Sequence, residues 1–317
     1  MLSTHDPNTI STGGVMKSLS VIMLATVFYL WFVNGLYAAD ETLRILENSE
    51  VRVLYETPRQ SAAMRIKDVS PAMFRELENA TGLAFDFKPT VIPASSRQRF
   101  RAMGGREAFL AFALPERRQV VLDLSRIDVR PALFLPVLKH EYAHLLLHRH
   151  IPSERLPRWL DEGIAQHLSD GLSEYLPGRS QMVLGEALAT DRVLPLRALE
   201  TRFPDDSFGR QLAYEQSRSI VGYMVRRYGD GFLTALIGRL TDRATVGEAF
   251  LAVSAVTLAD FEADWRRSQA APLSWLARMA GHIYGILFFL AAVATLLGYL
   301  RHRRRRQAYD AEDDDAW

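Results

Sequence analysis

Two histidines four residues apart, in a stretch that can only be read as helix, constrain this chain more than any other feature. After Pro131 the apolar pattern turns helical, and His140-Glu141-Tyr142-Ala143-His144 falls inside it. At 100° and 1.5 Å per residue, positions i and i+4 share one face about one turn apart. Two ring nitrogens so placed can reach one ion at the ~2.0–2.1 Å typical of zinc. Glu141 lies about 100° round the same helix, next to the ligands without being one. A carboxylate there can take the proton of a water that the metal has acidified.

A third ligand is needed, and the sequence offers two. His150 would require the chain to turn sharply after His144, but Leu145-Leu146-Leu147 favours more helix, which carries His150 about 9 Å onward. His148 lies a further turn along the histidine face and is expected in solvent or behind the ligands, and His167 on the surface or in packing. The better candidate is Glu162, in Trp159-Leu160-Asp161-Glu162-Gly163-Ile164-Ala165. Pro152 and Pro157 end the first helix, and a second starts near Arg158 and runs to about Ser169. Two helices joined by a short turn can bring Glu162 opposite the histidine pair. With no cysteine in the chain, any metal must sit on His, Asp or Glu.

Upstream, Val51–Tyr55, Leu83–Phe87, Leu110–Leu114 and Val120–Leu124 read as strands, and Pro71–Ala80 as helix. The formal net charge of +1 argues against a nucleic-acid partner. Two apolar segments flank the domain. Val21–Val33, after Lys17 and before Ala38-Ala39, reads as a signal peptide or an uncleaved signal anchor, more readily if translation begins at Met16. Ala280–Leu300 carries no formal charge over 21 residues, enough to span a membrane, and Arg301–Arg306 follows with five arginines. The expected organisation is therefore a leader over 1–39, an extracytoplasmic domain over 40–275, a transmembrane helix over 280–300 and a cytoplasmic tail over 301–317. The cell membrane of a bacterium, with the domain in the periplasm, is the expected location.

HEYAH followed by WLDEGIA resembles the gluzincin peptidases, specifically the bacterial peptidase MA-like domains. The WLDEG element is also similar to that of the large zinc aminopeptidases. Weaker likeness continues through Leu194-Pro195-Leu196, Ala213-Tyr214-Glu215-Gln216-Ser217, Tyr228-Gly229-Asp230-Gly231 and Phe261-Glu262-Ala263-Asp264-Trp265, so that it covers roughly 105–265. The resemblance implies an α+β zincin-like domain, with a small mixed sheet over the metal helix and a mostly helical C-terminal half. It implies that His140, His144 and Glu162 bind Zn2+, that Glu141 is the general base and that the substrate is a peptide or protein. Tyr214 is the candidate donor to the oxyanion, with plain packing as the other reading.

Two departures from the pattern matter. The Gly-x-Met-Glu-Asn element with which aminopeptidases hold a free amino terminus is missing; Ala102–Glu107 does not match it, although Glu107 stands near its place. The aspartate that thermolysin-like members carry four residues after the glutamate ligand is Gln166 here, so the partner that orients a histidine must come from elsewhere. An endopeptidase is therefore expected. A membrane-anchored scaffold that keeps the fold without the activity, and a zinc hydrolase of another kind, are the alternatives.

Overall fold

The computed structural model describes residues 43–169, 180–229, 231–269, 285 and 287–301. The expected leader (1–39), residues 280–284 and 286 of the expected span, and the tail from 302 onward lie outside the described residues.

Five strands form one mixed sheet: β1 (Leu43–Glu47), β2 (Arg52–Glu56), β3 (Thr90–Ala94), β4 (Ala111–Leu114) and β5 (Gln119–Asp123). Their order is β1-β2-β3-β5-β4, with β2-β3 and β3-β5 parallel and the two outer pairs antiparallel. The β4–β5 hairpin turns through Pro115–Arg117 and closes on Arg118, which takes a left-handed conformation at φ 53.

Two sequence expectations need correction. Leu83–Phe87 is not a strand. Its backbone donors go to side chains of the preceding helix, Leu83 N–H to Thr81 Oγ1 and Phe85 N–H to Glu78 Oε1. The aromatic alternation that suggested a strand instead packs Phe85 against Phe74, with ring centroids 4.2 Å apart. The strand is β3, which carries Pro93. Proline lacks the ladder N–H, but the pairing of β3 to β2 stops at Val91, so Pro93 lies past it.

Helix α1 (Gln60–Thr81) covers the sheet. It starts at Gln60, eleven residues before Pro71, where the sequence suggested a start. A proline inside a helix leaves the carbonyl four residues earlier without its donor; here Asn48 Nδ2 donates to Lys67 O at 3.3 Å. After α2 (Arg97–Ala102) and the single turn α3 (Leu124–Ile127) comes α4 (Phe134–His150), the helix of the two histidines. It packs against β4, β5 and α1. Tyr142 fixes that packing: its hydroxyl lies 2.7 Å from Ser70 Oγ, both buried.

The rest is helical: α5 (Arg158–Leu168), α6 (Ser180–Ala189), α7 (Ser207–Tyr228), α8 (Gly231–Thr241), α9 (Val246–Ser254) and α10 (258–269). The apolar interior has two main parts, one under the sheet and one among the later helices. Tyr142, Leu145 and Leu146 belong to the first, Leu147, Trp159 and Ile164 to the second. Helices α4 and α5 thus lie where the two cores meet. Burying each such large apolar side chain stabilises by ~1.5–3 kcal/mol, so the helices that carry the site are held from both sides.

Residues 287–301 form a further helix with Leu287, Phe288, Phe289 and Leu290 exposed. Among the described residues, no helix is long and apolar enough to cross a membrane.

Candidate metal centre

Helix α4 continues to His150 as the leucine run dictates, and α5 starts at Arg158 after Pro157. The two helices bring His140, His144 and Glu162 into one buried group. His140 Nε2 and His144 Nε2 are 3.1 Å apart. Glu162 Oε2 stands 3.7 Å from the first and 3.6 Å from the second. Donors bound to one tetrahedral ion at 2.0–2.2 Å stand ~3.3–3.6 Å from one another, so the triangle has the size of a zinc site. Among the described residues Glu162 Oε2 is buried with no hydrogen-bond donor, a costly arrangement for a carboxylate unless a cation faces it. The other oxygen, Oε1, accepts from Arg158 Nη2 at 3.2 Å. That leaves Oε2 alone toward the histidines.

The partner that orients a histidine is Asp161, which the sequence reading passed over. His144 Nδ1 donates to Asp161 Oδ1 at 2.8 Å, turning Nε2 and its lone pair toward the metal position. His148 Nε2 reaches the other oxygen, Oδ2, at 2.9 Å. Gln166, at the position examined for this role, instead donates from Nε2 to the backbone oxygen of Tyr214. The signal for Asp161 was in the sequence: as the immediate neighbour of a ligand on α5, it lies only 100° round from it.

The charges fit a cation site. Burial pushes His140 below the usual histidine value, outweighing Glu162. Burial also opposes charge on His144, but Asp161 and Glu162 outweigh it and hold its pKa well above the ordinary value. Both carboxylates are held below their usual range despite burial, Asp161 by His144 and His148, and Glu162 by His140 and His144. Two buried anions therefore converge where the ring nitrogens point.

Glu141 is fully buried and lines a cavity of ≈ 470 Å³ together with His144, His148, Asp161 and Glu162. Phe112 and Ala113 of β4 also line it. A second cavity adjoins the first and shares His148, Ser153, Arg158 and Asp161 with it. Tyr214 is on α7, 2% exposed, with its ring edge-on to Phe203 at 5.1 Å; it is not on the wall of either cavity. His150 is turned away, its Nε2 2.8 Å from Ala84 O, and His167 is exposed. Glu107 pairs with Arg101 and, at 3.5 Å, with Arg97, and is likewise absent from both walls.

Residues 135–271 match the sequence profile of the Peptidase MA superfamily. Over these residues the chain is similar to that superfamily, the match covering somewhat less than half of its length. Its His-His-Glu group is a donor set that fits zinc. No curated protein matches the sequence. Among solved structures, the chain is similar to yeast LTA4 hydrolase in complex with bestatin, at 12% identity and a TM-score of 0.41 over 74% of this chain and 38% of that one. It is also similar to the M1 zinc metallopeptidase from Deinococcus radiodurans, at 19% identity and a TM-score of 0.43 over 72% and 51%. The matched region spans about half, or less, of the length of those proteins.

Proposed function

We propose that the MA domain hydrolyses peptide bonds inside polypeptide chains, on the outer side of a bacterial cell membrane. The observation that carries the peptidase reading is the convergence of His140, His144 and Glu162 in one group, with His144, Glu162 and Glu141 on the wall of one cavity. Zinc, when bound, supplies the charge that acidifies a water and polarises a carbonyl. His140, His144 and Glu162 hold it. Glu141 takes the proton of the attacking water and delivers it to the leaving amine. Asp161 keeps His144 in the tautomer that leaves Nε2 free to coordinate.

Three features support cutting within a chain. The cavity at the metal group continues into a second one across His148, Ser153, Arg158 and Asp161, which gives an extended substrate room. Glu107, the residue nearest in sequence to an amino-terminus anchor, is engaged with arginines. Among the described strands β4 pairs only with β5, so its outer edge can accept a substrate as an added strand.

The proposed part of Tyr214 is to donate to the oxyanion. With its ring packed on Phe203, that part requires the phenol to swing toward the cleft when substrate binds.

Support for the membrane anchor comes from the uncharged 280–300 segment and the arginines after it, and from the uncovered apolar side chains of helix 287–301. Incubating the full-length chain with unfolded protein, with and without a chelator, tests the activity. Chelator-sensitive internal cleavage is the expected result, and a zinc-loaded protein that cuts nothing would favour the scaffold alternative.

A further inference from the structure

His148 is unclaimed by the proposed chemistry, yet it is tied to it. It follows His144 by four residues on α4, so the two rings share a face, with centroids 6.5 Å apart. Asp161 reaches in from α5 and bonds one ring with each oxygen, Oδ1 to His144 Nδ1 at 2.8 Å and Oδ2 to His148 Nε2 at 2.9 Å. The carboxylate is therefore clamped at both ends by one helix. His148 Nδ1 faces Ser153 Oγ at 3.4 Å. With Nε2–H given to Asp161, Nδ1 is the acceptor and the serine hydroxyl the donor. Among the described residues Asp161 Oδ2 has no other hydrogen-bond donor.

We propose that His148 is a positioning residue for the zinc ligand His144, acting through the Asp161 carboxylate; this rests on the zinc reading of the site. A carboxylate held by one bond can rotate about its Cβ–Cγ axis. Held by two, it presents Oδ1 to His144 in one orientation, which fixes the direction of the Nε2 lone pair. Partners behind a metal ligand typically contribute 10–100-fold in affinity. His148 also lies on the wall shared by both cavities, so the clamp runs from the cleft wall to the proposed ligand His144.

The test uses the full-length chain in detergent, loaded with zinc for affinity by chelator competition and with cobalt(II) for its visible absorption. His148→Ala is expected to weaken zinc by about 10–100-fold and to shift the cobalt bands. His148→Gln, whose amide N–H can donate to Asp161, is expected to recover most of both. In an Asp161→Ala background, His148→Ala is expected to change neither further, since the path runs through Asp161. Thermal unfolding in excess chelator separates these effects from simple loss of fold. A folded His148→Ala protein with wild-type zinc affinity and a wild-type cobalt spectrum would overturn the proposal. So would a full additional loss in the Asp161→Ala background. A wild-type chain that takes up neither ion would instead overturn the zinc reading itself.

Discussion

A Cβ placed on Gly163 would lie 2.6 Å from the backbone oxygen of Ser217. Helices α5 and α7 therefore meet almost backbone to backbone, one residue beyond Glu162. The glycine of the Trp-Leu-Asp-Glu-Gly element is there for closeness, because its neighbour is a main-chain atom that cannot rotate away. Gly163→Ala is expected to destabilise by ~1–3 kcal/mol, as overpacking does, and to lower zinc occupancy because α5 carries the proposed third ligand. Denaturant unfolding and metal content of the same preparation check both; unchanged stability would mean the helices part without cost.

Arg158 holds the oxygen of Glu162 that does not face the histidines. Arg158→Met keeps much of the side chain's length and its packing on Phe203 but removes the donor. Zinc is expected to leave about 10–100-fold more readily. Chelator competition reads this directly, and an unchanged affinity would show that Glu162 needs no help to present one oxygen.

The two histidines proposed as ligands are shifted in opposite directions, which predicts a proton count. His140 is held below and His144 well above the ordinary value. Near neutral pH the metal-free site thus carries its proton on His144, and zinc displaces it. Binding should release about one proton and tighten about tenfold per pH unit between ~6.5 and the raised value of His144. In the chelated protein, the raised value of His144 contributes stability that is present below ~6.5 and lost as pH rises through the folded value. Stabilisation by zinc should therefore grow toward alkaline pH. Calorimetry in buffers of different ionisation enthalpy counts the protons; zero protons at pH 7 would contradict the assignment.

The grouping of His140, His144 and Glu162 was legible in the sequence because its information is local. A four-residue spacing on one helix, and a glutamate just after a proline-bounded start, need no knowledge of the sheet. Asp161 was missed because its place beside Glu162 is only half of the signal; that it reaches His144 depends also on the angle between α4 and α5. β3 was missed because Pro93 argues against a central strand unless the pairing beside it is known to stop at Val91. Leu83–Phe87 was misread because its alternation serves a cluster on Phe74 and Tyr142 rather than a ladder. The start of α1 was hidden because the acceptor that Pro71 leaves open is covered by Asn48, nineteen residues before Lys67.

Tyr214→Phe separates two parts the tyrosine can play. As the proposed oxyanion donor its loss should lower kcat by ~10²–10³-fold with zinc retained. A packing role predicts little change in kcat, since the ring on Phe203 is preserved; that result would return Tyr214 to the core.

Glu141→Gln tests the account most directly, because it leaves His140, His144 and Glu162 untouched while removing the proposed base. Zinc content and hydrolysis of a casein-like substrate are measured on one preparation of the full-length chain. The expected result is wild-type zinc with a rate ~10²–10⁴-fold lower. A zinc-loaded Glu141→Gln protein that cuts as fast as wild type would contradict it.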